Sequence, residues 1–138
     1  MTRRARHGRP PRTEFARGEW GSVSLLVAGV VGALLVVSMG AADIARVLHA
    51  ASRAQTAADA AALAAAQALA IDDRGPTPIE LSSEYASRNG AELEACVCEP
   101  GTFVATVSVR VVVGDLFLLA GDRTVVARAR AEVSLPEA

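Results

Sequence analysis

The chain has 138 residues, 51% of them hydrophobic and only 4% aromatic, a length that fits one domain with a modest core and excludes a large multidomain enzyme. Its 14 basic residues, all arginine, stand against 15 acidic ones for a net charge of −1, which excludes a polycation that coats nucleic acid. The charge is unevenly placed. Met1 to Glu19 carries six arginines and two glutamates, Asp43 to Ala138 carries eight arginines and thirteen acids, and nothing between them is charged.

That uncharged stretch, Trp20 to Ala42 (WGSVSLLVAGVVGALLVVSMGAA), is long enough for a helix to cross a hydrocarbon core of about 30 Å, which takes about 20 apolar residues. A chain this short with so few aromatics could hardly bury such a helix on all sides, so a membrane span is expected. Arg3, Arg4, Arg6, Arg9, Arg12 and Arg17 crowd its N-terminal flank and Asp43 opens the other. The arginine bias places the N-terminus in the cytoplasm and the residues after Ala42 outside it, in the cytoplasmic (inner) membrane topology of a single-pass protein. A secretory signal cleaved after Ala42, releasing a small secreted binding module, is the rival, because Gly40 and Ala42 are small residues at signal-peptidase spacing. The apolar run is longer than the usual h-region of about 15 residues, and the helical pattern continues past the cut. Within the run, Ala28 with Gly32 and Gly29 with Ala33 lie four apart, a spacing that permits close helix pairing and self-association.

From Asp43 to Ala70 there is no glycine or proline and alanine dominates, so one helix is predicted from Trp20 to Ala70, about 75 Å long at 1.5 Å per residue. A helical wheel groups Ile44, Val47, Leu48, Ala51, Ala58, Ala62, Ala65 and Leu69 on one face. Arg46, His49, Arg53, Thr56 and Gln67 lie opposite, with Ala57, Ala60 and Ala64 nearer the polar side. Gln55 falls within the apolar face one turn before Asp59, at a spacing that permits a hydrogen bond between them or to a partner. The helix is expected to stop at Ile71-Asp72-Asp73-Arg74-Gly75-Pro76, and Thr77-Pro78-Ile79-Glu80 reads as a capping box with proline at the first helical position. The second helix should end at Asn89-Gly90.

Beyond Gly90 the hydrophobic period changes from 3.6 to 2. Ala91, Leu93, Ala95 and Val97 alternate with Glu92, Glu94, Cys96 and Cys98, and Glu99 to Thr102 forms a turn. Phe103, Ala105, Val107, Val109, Val111 and Val113 then give an apolar face. A third strand, Thr124 to Ser134, turns Val125, Ala127, Ala129, Ala131 and Val133 inward. The connection Gly114 to Arg123 holds Leu116, Phe117, Leu118 and Leu119, a cluster suited to covering a sheet edge or touching the membrane, with covering the core the expected role. The expected fold class is α+β: a long N-terminal helix, its first half in the membrane and its outer half packed on a three-stranded antiparallel sheet, the layout of a pilin.

The segment Gly21 to Ala66 resembles the N-terminal signature of TadE/TadG-like proteins, pilin-like components of tight-adherence (Flp) pilus assembly. The likeness rests on a glycine before the apolar run, Asp43 and Arg46 just after it, and Gln55 followed by Ala57-Ala58-Asp59-Ala60-Ala61-Ala62-Leu63-Ala64. The β-rich tail with its cysteine resembles short members encoded beside secretion ATPases. The resemblance implies a nonenzymatic role, no cofactor, and as partners the lipid bilayer and the membrane proteins of a pilus or secretion machine. One feature departs from pilins cut by a prepilin peptidase, which carry glutamate five residues after the cut: Leu26 holds that place after Gly21 and Val23 after Gly18. An uncleaved anchor is therefore the expectation.

His7 and His49 have no second histidine, serine or cysteine at the spacing of a dyad or metal site. Cys96 and Cys98 are the redox candidates, since a location outside the cytoplasm permits disulfides. Two residues apart on an extended strand, their Cα atoms would lie nearly 7 Å apart, at the limit of an unstrained bridge. Free or intermolecular thiols on the polar face are thus expected, with a membrane-tethered thiol oxidoreductase as the alternative.

Overall fold

The structure, a computed structural model, describes residues 20–71, 75–119 and 121–134, with side chains from residue 23 onward. Its elements are α1 (Trp20–Ala70), α2 (Pro78–Arg88), β1 (Glu92–Cys98), β2 (Val104–Val113) and β3 (Arg123–Glu132). The strands form one antiparallel sheet in the order β1-β2-β3. The fold is α+β, with a long N-terminal helix and a small sheet. Two compact units divide at Val37 and Ser38. Of the first, the described part is helical and its large aliphatic side chains are exposed. The second holds the remainder of α1, α2 and the sheet.

The core of the second unit is built from small residues. Ala50, Ala54, Ala57, Ala58, Ala61 and Ala65 of α1 join one cluster with Ala105, Val107, Val109, Val111 and Val113 of β2 and Ala129 of β3. These β2 residues alternate along the strand, so they share one face. Their period-2 pattern is the one read in the sequence, and β3 presents Val125, Ala127, Ala131 and Val133, partly buried, to the same cluster. The opposite face carries Arg128, which donates through Nε to Ser108 Oγ (3.1 Å), and Arg110, which pairs with Glu92 (2.8 Å).

The second helix begins as its sequence dictates. Glu80 N–H donates to Thr77 Oγ1 (3.2 Å), Thr77 N–H donates to Glu80 Oε2 (2.8 Å), and Pro78 occupies the start, where its missing N–H costs nothing. The Thr77 N–H bond most, and then the Thr77 hydroxyl, which donates to Glu80 Oε2 at 2.9 Å, hold the Glu80 carboxyl below its ordinary value. At the other end Gly90, at φ +71, lets Ala91 N–H reach back to Ala86 O (3.0 Å). Ser82 and Ala86 of α2 are fully buried.

Three expectations need correction. The buried face of α1 is rotated from the wheel: Ala57 and Ala64 are buried, while Ile44, Val47 and Leu48 are exposed. Large aliphatics dominated the wheel, but only alanine lets the helix axis approach the sheet. In β1 the alternation reverses: Ala95 and Val97 are exposed, while Cys96 and Cys98 are partly buried against the core. The cause is a β-bulge between Leu93 and Ala95, whose extra residue flips every later side chain to the other face. Among the described residues of the β2–β3 connection, Leu116 packs against the core, while Phe117, Leu118 and Leu119 are exposed.

If contact with the sheet fixes the alanine face, Ala61→Leu should cost about 1–3 kcal/mol by overpacking. Gln67→Leu, on the exposed face, should change stability by less than about 0.5 kcal/mol. Denaturant unfolding of the full chain in detergent measures both, and equal effects would contradict this packing.

Candidate membrane-facing and assembly surfaces

At the start of the second unit, the carboxylate of Asp43 lies against the β2–β3 connection, 74 residues away in sequence. Phe117 N–H donates to its Oδ1 and Leu118 N–H to its Oδ2, each at 2.8 Å. Asp43 itself is buried. The Phe117 amide bond holds its carboxyl below the ordinary 3.8; burial opposes this, and the Leu118 amide and the Arg46 charge add to the lowering. One turn along the helix, Arg46 donates to Asp115 O and lays its guanidinium over the Phe117 ring, 4.4 Å from the centroid. Asp43 and Arg46, three apart on α1 and so on neighbouring turns, grip one loop from two sides. Sequence spacing offers no signal for this pairing; the one available hint was an acid standing at the end of a long apolar run.

The other residues singled out from the sequence divide into two groups. Ala58, Ala62 and Ala65 are buried in the core. Gln55 and Asp59 are exposed, and Gln55 Nε2 donates to Asp59 Oδ1 at 3.0 Å. Gln55 therefore lies on the solvent side of α1 rather than within the buried face, and its bond to Asp59 joins successive turns of one helix. The arginines Arg3, Arg4, Arg6, Arg9, Arg12 and Arg17 lie outside the described residues.

Cys96 and Cys98 are joined in a disulfide, with Cα atoms 5.5 Å apart. This corrects the expectation of free or intermolecular thiols. The nearly 7 Å spacing assumed a fully extended strand, whereas the observed Cα distance is shorter and falls within the range that a bridge spans. The pair faces the core rather than solvent. Among the described residues, no three His, Cys, Asp or Glu side chains are grouped to hold a metal ion.

The α1 helix is long and apolar enough to cross a bilayer, and none of its most apolar 18-residue window is buried. A family model, Tad, described as Flp pilus-assembly TadE/G-like, matches residues 21–68. Residues 21–68 are TadE/G-like. That span contains the apolar run, the Asp43–Arg46 pair and nearly all of the alanine face, and it coincides closely with the stretch Gly21 to Ala66 on which the sequence resemblance rests. No curated protein matches the chain, and no solved structure does. The TadE/G-like segment of this membrane protein thus supplies both the exposed apolar helix and the helical side of the core.

Because the Asp43 carboxyl is lowered in the folded state, its grip is complete above the ordinary aspartate value of 3.8 and is lost as pH falls through the lower native value. Hydrogen exchange should show it at neutral pH: Asp43→Ala should speed exchange at the Phe117 and Leu118 amides by about tenfold or more while the β2 amides stay protected. Unchanged protection at those two amides would show that the carboxylate does not hold the loop.

Proposed function

We propose that the protein is a single-pass, pilin-like component of a pilus or secretion assembly machine in the cytoplasmic (inner) membrane, acting through helix and domain contacts rather than catalysis. The proposed layout has residues 1–19 as a cytoplasmic basic tail, 20–42 as the membrane span, 43–70 as the outer half of the same helix, and 71–138 as the outer α2 and sheet. The observation that carries the reading is the coincidence of the TadE/G-like match, residues 21–68, with a helix whose most apolar 18-residue window has no buried residue. An exposed run of that length needs lipid or partner helices around it. Around Gly29 and Gly32 no side chain beyond the chain neighbours and no other part of the chain lies within 4 Å of where a Cβ would stand, so another helix could approach closely there. The arginine asymmetry across the run supports an N-terminus in the cytoplasm.

Two arms of one cellular experiment test this. A photo-crosslinking residue at Val30 in the full chain should capture a membrane protein of the pilus or secretion machine, and the same residue at Val97 should not. In the same cells, Thr13→Cys combined with Cys96→Ser and Cys98→Ser should react with an impermeant maleimide only after lysis. A mature protein that starts at Asp43, or labelling of intact cells, would overturn the reading.

A further inference from the structure

We propose that the β2–β3 connection, centred on Phe117 to Leu119, is a lipid-contacting loop seated at the outer boundary of the bilayer beside the segment Gly40–Leu48 of α1. The inference rests on the reading of a membrane-crossing α1 and adds to it a second point of lipid contact, in a part of the chain beyond the TadE/G-like segment.

The patch is too apolar for water. Phe117, Leu118 and Leu119 are 59%, 52% and 48% exposed, and beside them Ile44 and Leu48 of the helix are 63% and 64% exposed. Leu118, Leu119, Ile44, Val47 and Leu48 line a single open cleft with Gly40 and Asp43. Its depth follows from the chain. About 20 helical residues cross the hydrocarbon, so a span opening at Trp20 ends near Gly40. Leu118 Cδ1 lies 3.5 Å from the position a Cβ on Gly40 would take. The loop is thus held against the last turn of the apolar run, at the level where acyl chains give way to headgroups.

Polar backbone usually keeps an irregular loop out of that zone, because unpaired N–H groups are costly away from water. Here Asp43 pairs the Phe117 and Leu118 amides from the protein side. The arrangement leaves the aliphatic and aromatic side chains to face outward. Arg46, exposed and stacked on Phe117, sits where a long cationic side chain can reach lipid phosphate. Continuity with Ser38 to Ala42, the end of the apolar run that belongs to the same unit as the loop, selects lipid over a second copy of the chain.

The test uses the full chain reconstituted in phosphatidylcholine–phosphatidylglycerol vesicles, read by indole fluorescence with lipids brominated in the acyl chains and with aqueous iodide. The native Trp20, the one tryptophan in the sequence, reports the span. In a Trp20→Phe background, Phe117→Trp reports the loop, Leu119→Trp repeats it with the Arg46 stacking intact, and Val97→Trp, exposed on β1, reports the outer sheet. Support is a blue-shifted emission from both loop reporters, quenched by brominated lipid and spared by iodide, while the Val97→Trp indole shows the reverse. If brominated lipid quenches Trp20 but iodide alone quenches the loop reporters, the loop proposal is overturned and the membrane-crossing helix stands. If brominated lipid leaves Trp20 untouched, the span itself is wrong and the loop proposal falls with it.

Discussion

The second unit depends on the packing of the α1 alanine stripe against the valine face of β2. Ala54, Ala57, Ala58, Ala61 and Ala65 are fully buried together with Val107 and Val109 of β2. Alanine contributes little transfer free energy per residue, so much of the apolar burial here comes from the β2 valines that the stripe covers. The consequence is intolerance of volume: a branched side chain in the stripe has no cavity to fill and must separate helix from sheet. Alanine is also the strongest helix former. One residue type thus keeps the helix straight through the core and sets its distance from β2.

With α1 fixed on the sheet, its membrane-proximal turns have a set relation to the loop that leaves β2. Val113 ends that strand, and a few residues later the chain meets Asp43 and Arg46. The two charged residues therefore act on chain geometry that the alanine stripe has already established. A carboxylate with both oxygens accepting backbone N–H bonds has little reason to be exposed, and Asp43 is not. The helix consequently serves two partners along its length, the sheet through alanine and the β2–β3 connection through Asp43 and Arg46.

Much of this was legible in the residues. The capping box at Thr77–Glu80, the end of α2 at Asn89–Gly90, the valine alternation of β2 and the uninterrupted helix from Trp20 follow from local rules, and local rules act within a few residues. The failures share a different cause. In an alanine-rich helix the wheel has almost no contrast, so Ile44 and Leu48 drew the apolar face toward themselves and away from Ala57. In β1 the bulge at Leu93/Ala95 changed the phase of the alternation without a glycine to announce it, and so turned the cysteines inward. The Asp43 contact joins residues 74 and 75 apart, and no periodicity reaches that far. The glutamine at Gln55 shows the smaller version of the same limit: its bond to Asp59 was readable from spacing, the side of the helix was not.

The central claim is that the alanine stripe of α1 and the valine face of β2 form one cooperative core. Native-state hydrogen exchange of the full chain in a membrane mimic measures it directly, residue by residue. The account expects the amides of residues 54–66 and of β2 to open together, with one shared free energy and the slowest exchange outside the apolar run. Fast exchange through residues 54–66 while β2 stays protected would mean that the outer helix stands free of the sheet, and the account would be wrong.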